Sequence, residues 1–441
     1  MKTALFLAPS AYTLGGIQTW LDYILPGLNN KGWRSVLGLP IGKFHDVGLY
    51  QETHPYDDII TFTNPTGSRE GRVNALIAAI RKIKPDVVIV LNIVDAYEAV
   101  EHIKLTDDWR PKIIATLHGI QQDYLQDYSA YAQSIDAVIC TNRLAQYLVQ
   151  VEAGLEKERV LYAPYGVNVP VNSVITENTS EKGIRIAYVG RLEEPQKRVS
   201  DIPLILDKLS NNKRIFEFIV AGGGPEEEKF KKEMQKRNLD VCVKYLGVLD
   251  SEKLTKEVYE VVDVLLLTSS WETGPIVAWE AMAHDVVLVT SKYLGSGMEG
   301  SLKHGKNCLM FEPGNIQEAV DCLIQAYNLT TRKMLVEEGK KLVQNKYSIN
   351  ASINAWNDCL EVVCQLPFMN PVKHTIYGGR GHSRLDKIFG YSAAEFIRKL
   401  IQKKFDHMDT GGEWPHSYGN IHSDAGKFIE KIKEVDISYQ Q

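Results

Sequence analysis

The chain has 441 residues, 44% of them hydrophobic and 24% charged, with 50 Lys and Arg against 55 Asp and Glu for a formal charge of −5. That length and composition fit two or three domains with buried cores, and the charge supplies no global positive field to hold a polyanion, which argues against a dedicated nucleic-acid binder. Apolar runs such as Val87 to Leu91 and Val264 to Leu267 fall far short of the ~20 residues a membrane-spanning helix needs. The six cysteines are scattered, with no Cys-x-x-Cys pair and no zinc-ligand spacing, which fits a reduced cytoplasmic setting.

Residues Met1 to Leu7 form an apolar run too short for a signal-peptide core, so they are expected to form the first buried strand. Ile17, Trp20, Leu21, Ile24, Leu25 and Leu28 recur at helical spacing and share one face. Strands are expected at Asp86–Leu91, Lys112–Leu117, Ala137–Thr141 and Val160–Ala163, with helical segments between them, which makes one doubly wound α/β domain. The polar stretch Asn172–Lys182 lacks periodicity and is the linker candidate. The alternation then restarts at Ile184–Val189, Phe216–Ala221, Cys242–Leu246, Val264–Thr268 and Val286–Thr290, a second domain of the same kind. Two such domains are expected to face a central cleft at the carboxyl ends of their strands.

Beyond Gln365 two loop-like segments, Tyr377–His382 and Thr410–Pro415, flank an expected helix from Ala393 to Phe405. Its residues Phe396, Ile397, Leu400 and Ile401 form an apolar stripe, expected to pack on the protein's own domains or on a second copy. Five of the 11 histidines (His374, His382, His407, His416, His422) fall in this tail, and their spacing matches no metal motif, so they read as surface and packing residues.

The chemistry-bearing segments lie at expected strand ends. After the strand Val264–Thr268, Glu272 precedes a turn and a helix opening near Pro275, where the amides of Gly274, Ile276 and Val277 form an anion site backed by the helix dipole. Glu280, five residues into that helix, is available to a pair of neighbouring hydroxyls; a surface acid and a capping acid are the plainer alternative. At the end of Ile184–Val189 come Gly190, Arg191 and Lys197, a planar fork and a point charge that together can neutralise a diphosphate, or a solvated charge cluster. Gly15-Gly16 opens the first helix and Gly222-Gly223-Gly224 ends another strand, yet neither completes a nucleotide fingerprint. His118 stands at a strand end, where a packing role is the commoner one for a lone histidine.

Taken in order, these segments resemble the retaining glycosyltransferases of family 4, which have the GT-B fold of two Rossmann-like domains. The resemblance spans about residues 1 to 365. Its strongest element is Glu-x7-Glu, Glu272 to Glu280; Val189-Gly190-Arg191-Leu192 with Gln196-Lys197, Gly222-Gly223-Gly224-Pro225, Leu246-Gly247, Pro164-Tyr165-Gly166-Val167, and Glu299 with His304-Gly305-Lys306-Asn307 support it. The resemblance implies that Arg191 and Lys197 clamp the diphosphate, Glu280 holds the ribose hydroxyls, and Glu272 and His118 lie near the donor sugar. It also implies that Gly15 and Gly16 lie over the phosphates, that Gly223, Gly274, Pro275, Ile276 and Val277 contact the donor, and that Leu246 and Val248 lie near the base. Two positions depart from the family pattern: Gly274-Pro275 stands where many members carry Phe-Gly, and Arg198 where a glycine is common.

The organisation expected is an N-terminal acceptor-side domain (1–168), a linker (169–182), a nucleotide-sugar domain (183–345), a closing helix (346–365) and a mainly helical extension (366–441). The activity implied is transfer of a hexosyl unit from a nucleoside-diphosphate sugar to an acceptor hydroxyl with retention, in glycan, polysaccharide or glycolipid biosynthesis. A same-fold epimerase or phosphorylase, or a silent scaffold subunit, is the alternative. No cofactor and no obligatory metal are expected. The partners are the nucleotide-sugar donor and a glycan, glycolipid or small-molecule acceptor, without nucleic acid; peripheral contact with the inner face of a membrane and self-association through the extension stay open. Residues 1–168 hold 15 Lys and Arg against 18 Asp and Glu, although Arg69, Arg72, Arg81, Lys82 and Lys84 could cluster on one helix.

Overall fold

A computed structural model describes all residues except 14, 65, 171–182, 376, 378–383, 403–411, 420–424 and 441. Most of the expected linker, the end of the expected tail helix, and His382, His407 and His422 lie outside the described residues. The chain divides into two compact units, Met1–Ala163 with Ile353–Phe428, and Pro164–Ser352 with Ile429–Gln441.

The first unit is built on a seven-stranded sheet: β1 (Lys2–Leu7), β2 (Trp33–Ile41), β3 (Ile59–Thr63), β4 (Val87–Val90), β5 (Lys112–Leu117), β6 (Ala137–Cys140) and β7 (Val160–Tyr162). The strands run parallel in the order β3-β2-β1-β4-β5-β6-β7. Helices cover a parallel sheet on both faces, so β4, β5 and β6 read as unbroken buried runs rather than as alternating ones. The apolar face of the helix Gly16–Asn30 buries Trp20, Leu21, Ile24, Leu25 and Leu28. Trp20 alone packs against Phe6, His118 and Trp356, and its truncation to Ala would cost about 3–5 kcal/mol.

The second unit repeats the design with six strands: β8 (Ile184–Val189), β9 (Phe216–Ala221), β10 (Val243–Gly247), β11 (Val264–Leu267), β12 (Val287–Ser291) and β13 (Leu309–Phe311). All are parallel, in the order β10-β9-β8-β11-β12-β13. In each unit the strand order reverses beside the first strand, so β8 and β11 bracket a topological switch point, where open α/β sheets bind ligands outside the carboxyl ends.

Up to Phe428 the extension packs within the first unit. Just past the helix Ile349–Gln365 it runs along the amino edge of the sheet: Lys112 Nζ donates to the Leu366 carbonyl, Arg159 Nη1 to that of Pro367 (3.2 Å), and the Met369 amide to Asp136 Oδ1 (2.8 Å). It then reaches the carboxyl edge. There Glu395 accepts from Thr66 Oγ1 (2.5 Å) and from Ser68, and the Glu413 carboxylate gathers three successive amides of the loop after β2, Lys43 (2.7 Å), Phe44 and His45 (2.8 Å). Trp414, 3% exposed, packs edge-on against Phe62 of β3, and its amide donates to the Pro9 carbonyl beyond β1. The Tyr418 hydroxyl sits between Arg72 Nη2 (2.7 Å) and Asp95 Oδ1 (2.5 Å), bracing the buried Arg72–Asp95 pair.

Two expectations are corrected. The helix Tyr391–Leu400 turns Ala394, Glu395 and Arg398 inward and leaves Phe396 64% and Leu400 68% exposed, so the apolar stripe is not packed on the protein's own domains. The three arginines of the helix Arg69–Ile83 are not available to a basic cluster, because Arg69 is paired with Glu98, Arg72 with Asp95 and Arg81 with Asp107, which leaves the exposed Lys82 and Lys84.

Candidate functional site

In the second unit the loops at the carboxyl edge are stitched to one another through backbone. The Gly190 amide donates to Ala221 O (3.0 Å), Leu192 N to Gly223 O (2.9 Å), Gly222 N to Gly247 O (2.7 Å) and Ser270 N to Gln196 O (2.7 Å). Gly222, at φ +136°, could carry no side chain: a Cβ there would lie 2.0 Å from the Gly190 carbonyl oxygen. The glycine run after β9 thus serves packing at Gly222 and Gly224, whereas a Cβ at residue 223 would meet nothing nearer than the Glu227 carboxylate at 3.3 Å and the Val248 side chain at 3.7 Å. The half-buried Leu246 is the last residue but one of β10, and Val248 is 71% exposed just beyond the strand.

Lys197, on the loop after β8, reaches Glu272 on the loop after β11, with Nζ and Oε1 2.7 Å apart. Glu272 is buried and its Oε1 also accepts from Ser269 Oγ at 2.5 Å. Two loops from the two sides of the switch point are therefore joined by one ion pair. Arg191 lies on the same loop as Lys197, but it is largely exposed and pairs with Glu193. Arg198 adopts φ +47°, the left-handed backbone that glycine favours, with a guanidinium ion pair to Asp201 (2.8 Å). A residue in place of a glycine thus keeps the glycine backbone.

Gly274, at φ +106°, turns the chain into Pro275, the N-cap of the helix Ile276–Ala283. The first amides bonded back to the cap are those of Ala278 (2.9 Å) and Trp279 (3.4 Å), both to the Pro275 carbonyl. The Ile276 and Val277 amides come earlier, where helix geometry aims N–H groups outward with the positive end of the dipole. One turn on, half-buried Glu280 accepts the Tyr259 hydroxyl on Oε2 at 2.7 Å. Burial raises the Glu280 carboxyl above its ordinary range and outweighs that hydrogen bond, which acts the other way. Tyr259 in turn stacks on His284, whose Nδ1 meets the Glu280 carbonyl oxygen at 2.8 Å.

Tyr259, Ser269 and His284, which hold the two glutamates, were not legible as site residues. Tyr259 closes a short π-helical turn, Thr255–Tyr259, far from the motif in sequence, and no spacing rule links it to Glu280. Glu299 and His304 are held in local structure: Glu299 Oε1 takes Lys346 Nζ (2.7 Å) and the Tyr347 hydroxyl (2.9 Å), and His304 Nδ1 accepts the Met310 amide (2.9 Å).

The other three expected residues belong to the first unit. Gly15, at φ +138°, is the N-cap of the helix Gly16–Asn30. His118 follows β5 and meets Trp20 of that helix edge-on, ring centroids 5.4 Å apart. Burial lowers its pKa to about 4, so the imidazole is neutral at physiological pH. Among the described residues no group of three or more His, Cys, Asp or Glu is placed to hold a metal ion, all six cysteines are free, and no helix is long and apolar enough to cross a membrane.

The model of the family "Glycosyl transferases group 1" matches residues 174–342. The lipopolysaccharide 1,6-galactosyltransferase of Escherichia coli K12 is 26% identical over 265 residues, 58% of this chain and 69% of that protein. The Salmonella typhimurium enzyme of the same name is 25% identical over 189 residues, about half of its length (51%). Among solved structures, the outer core galactosyltransferase WaaB in its apo form aligns with TM-score 0.68 at 17% identity, covering 82% of this chain and 99% of that one. Anabaena Alr3699/HepE in complex with UDP and glucose aligns with TM-score 0.66 at 18% identity, covering 82% of this chain and all of that one (100%). The fold is thus GT-B, with a helical C-terminal part added. Residues 174–342 thus match the glycosyl transferases group 1 family.

Proposed function

We propose that the chain transfers a hexosyl unit from a nucleoside-diphosphate sugar, with retention at the anomeric carbon, to a hydroxyl of a growing lipopolysaccharide or polysaccharide glycan. The observation that carries this reading is the convergence at the β8/β11 switch point of the Lys197–Glu272 pair, the outward amides of Ile276 and Val277, and a Glu280 carboxylate oriented by Tyr259. Cations and helix amides suit a diphosphate, and a carboxylate deeper on the same helix suits the two hydroxyls of a ribose. The names of the relatives support the acceptor class: two lipopolysaccharide galactosyltransferases and the amylovoran biosynthesis glycosyltransferase AmsK of Erwinia amylovora.

In this mechanism the acceptor oxygen attacks the anomeric carbon from the face that the diphosphate leaves. As the carbon–oxygen bond breaks, negative charge grows on the departing phosphate oxygen, which takes the acceptor proton. Lys197, Arg191 and the helix start at Gly274 to Val277 stabilise that charge, each at a magnitude of about 3–4 kcal/mol by analogy with lost oxyanion donors. They do so in place of a divalent ion. Glu272 orients Lys197 and lies near the donor sugar, Gly223, Leu246 and Val248 border the nucleotide, and neutral His118, Gly15 and Gly16 belong to the first unit. That unit takes the acceptor, and the reaction runs on the cytoplasmic side.

Incubating the protein with UDP-, GDP- and ADP-hexoses, with and without EDTA, and following release of the nucleoside diphosphate tests the reading. One nucleotide class should be cleaved slowly without acceptor, with chelator present. An enzyme that turns over only with added Mg²⁺ or Mn²⁺ would remove Arg191 and Lys197 from the clamp, and conversion of the donor to another nucleotide sugar would make it an epimerase.

A further inference from the structure

The extension carries a helix with inverted amphipathicity. On Tyr391–Leu400 the buried face holds Ala394, Glu395 and Arg398, at most 2% exposed, while Phe396 and Leu400 face outward together with Ile401 just past the helix end (59% exposed). The short helix before it, Arg384–Phe389, adds Ile388 (70%) and Phe389 (54%), and the two helices pack on each other. A soluble surface helix presents the reverse pattern, and clustered exposed apolar groups mark a surface that meets something else.

The orientation is fixed from below. Glu395 is held by Thr66 and Ser68 at the start of the helix Arg69–Ile83, where Ser68 Oγ caps the Gly71 amide (3.0 Å). A side chain at residue 71 would meet Glu395 Oε1 at 2.5 Å, so Gly71 makes room for the acid. Rotating the helix to bury Phe396 and Leu400 would tear out Glu395, so the apolar face is held outward.

Its surroundings are basic. Residues 384–404 hold six Lys and Arg against two Asp and Glu, in a chain whose formal charge is −5. Arg384, Lys387 and Lys399 are exposed beside the apolar side chains, and Lys403 and Lys404 follow in sequence. The three arginines of the helix Arg69–Ile83, by contrast, are taken up by Glu98, Asp95 and Asp107.

We propose that residues 384–401 form an interfacial anchor that inserts Ile388, Phe389, Phe396, Leu400 and Ile401 among the acyl chains of an anionic lipid surface, with the flanking lysines and arginines on the headgroups. Apolar side chains ringed by Lys and Arg, without the length to span, are the pattern of a helix lying in the interface. A second copy of the chain would carry the same positive charge to the patch, which charge complementarity disfavours. The proposal does not depend on the reaction assigned to the second unit.

The test is flotation of the full chain with phosphatidylcholine vesicles and with vesicles containing about one-third phosphatidylglycerol, at low and high salt. The chain should float with the anionic vesicles, less so at high salt. Phe396→Ser with Leu400→Ser should lower partitioning on the order of a hundredfold, and Lys387→Glu with Lys399→Glu about tenfold, with unchanged thermal melting and donor hydrolysis. Hydrogen exchange of the unmodified chain should slow at residues 384–401 when vesicles are added. Failure to float with either vesicle, equal flotation of the apolar variant, or a dimer that the same variant dissolves into monomers would each overturn the proposal.

Discussion

Glu280→Ala removes a carboxylate whose Oε2 is occupied by the Tyr259 hydroxyl at 2.7 Å, which leaves Oε1 for a ligand. A hydrogen bond to a charged acceptor is worth about 1.5–3 kcal/mol, so the nucleoside diphosphate should bind roughly ten- to a hundredfold more weakly. Glu280→Gln should lose less, because its amide oxygen still accepts. Tyr259→Phe frees the carboxylate to turn away and should cost roughly three- to tenfold in affinity, about 1 kcal/mol for the lost positioning. The pH dependence follows from burial, which raises the Glu280 carboxyl. Binding needs the ionised form, so affinity should fall as pH drops through that raised pKa, beginning at a higher pH than an exposed glutamate would give, and Glu280→Gln should flatten the profile. Isothermal calorimetry with UDP, GDP and ADP, beside a melting curve for each variant, makes the measurement. A folded Glu280→Ala protein that binds the nucleotide as tightly as the parent would refute the ribose assignment.

Lys197→Ala should lower kcat about a hundredfold or more with a smaller change in donor Kd, and adding Glu272→Gln should recover stability but not rate, because a neutral amide then replaces the unpaired buried carboxylate; single-turnover kinetics and melting curves separate the two effects. Arg191→Lys should also be impaired, since an ammonium cannot reproduce the bidentate fork, and the same kinetics check it. Asp127 contacts the extension through the Tyr418 amide (3.1 Å), and burial pushes its pKa up to about 7. A carboxyl whose folded pKa lies above its unfolded one loses stability as pH rises from about 4 to about 7, a slope that Asp127→Asn should remove from melting curves taken across that range. Tyr418→Phe leaves the buried Arg72–Asp95 pair without its bridging hydroxyl and should cost the first unit about 1–3 kcal/mol in denaturant unfolding.

Legibility in the sequence followed the range of the interaction. Strands buried on both faces announce themselves locally: Lys112–Leu117, Ile184–Val189 and Phe216–Ala221 fall where their β-branched runs place them. β2 was not singled out because Gly38 and Pro40 interrupt it, and β3 because it is short and half-buried. Glu272 and Glu280 stood out because a strand end, a turn and a helix start lie within nine residues of one another. Tyr259 did not stand out, and Lys197 did so only as a diphosphate cation, its pairing with Glu272 being a contact between separate loops that no spacing rule reveals. The docking of the extension was least legible. Its anchors pair residues more than 300 positions apart, such as Tyr418 with Asp95 and Glu413 with Phe44, and composition gives no hint of such partners. The apolar stripe at Phe396 was readable as a stripe, but its direction was set by Glu395 on the opposite face.

The most direct test of the central claim is the anomeric configuration of the sugar leaving the active site. With the donor class that the protein cleaves, proton NMR recorded as the reaction proceeds should show the first-formed sugar product with the same anomeric configuration as the donor, and Lys197→Ala should slow its appearance about a hundredfold without changing that configuration. A product of inverted configuration, or a rate indifferent to Lys197, would contradict the account.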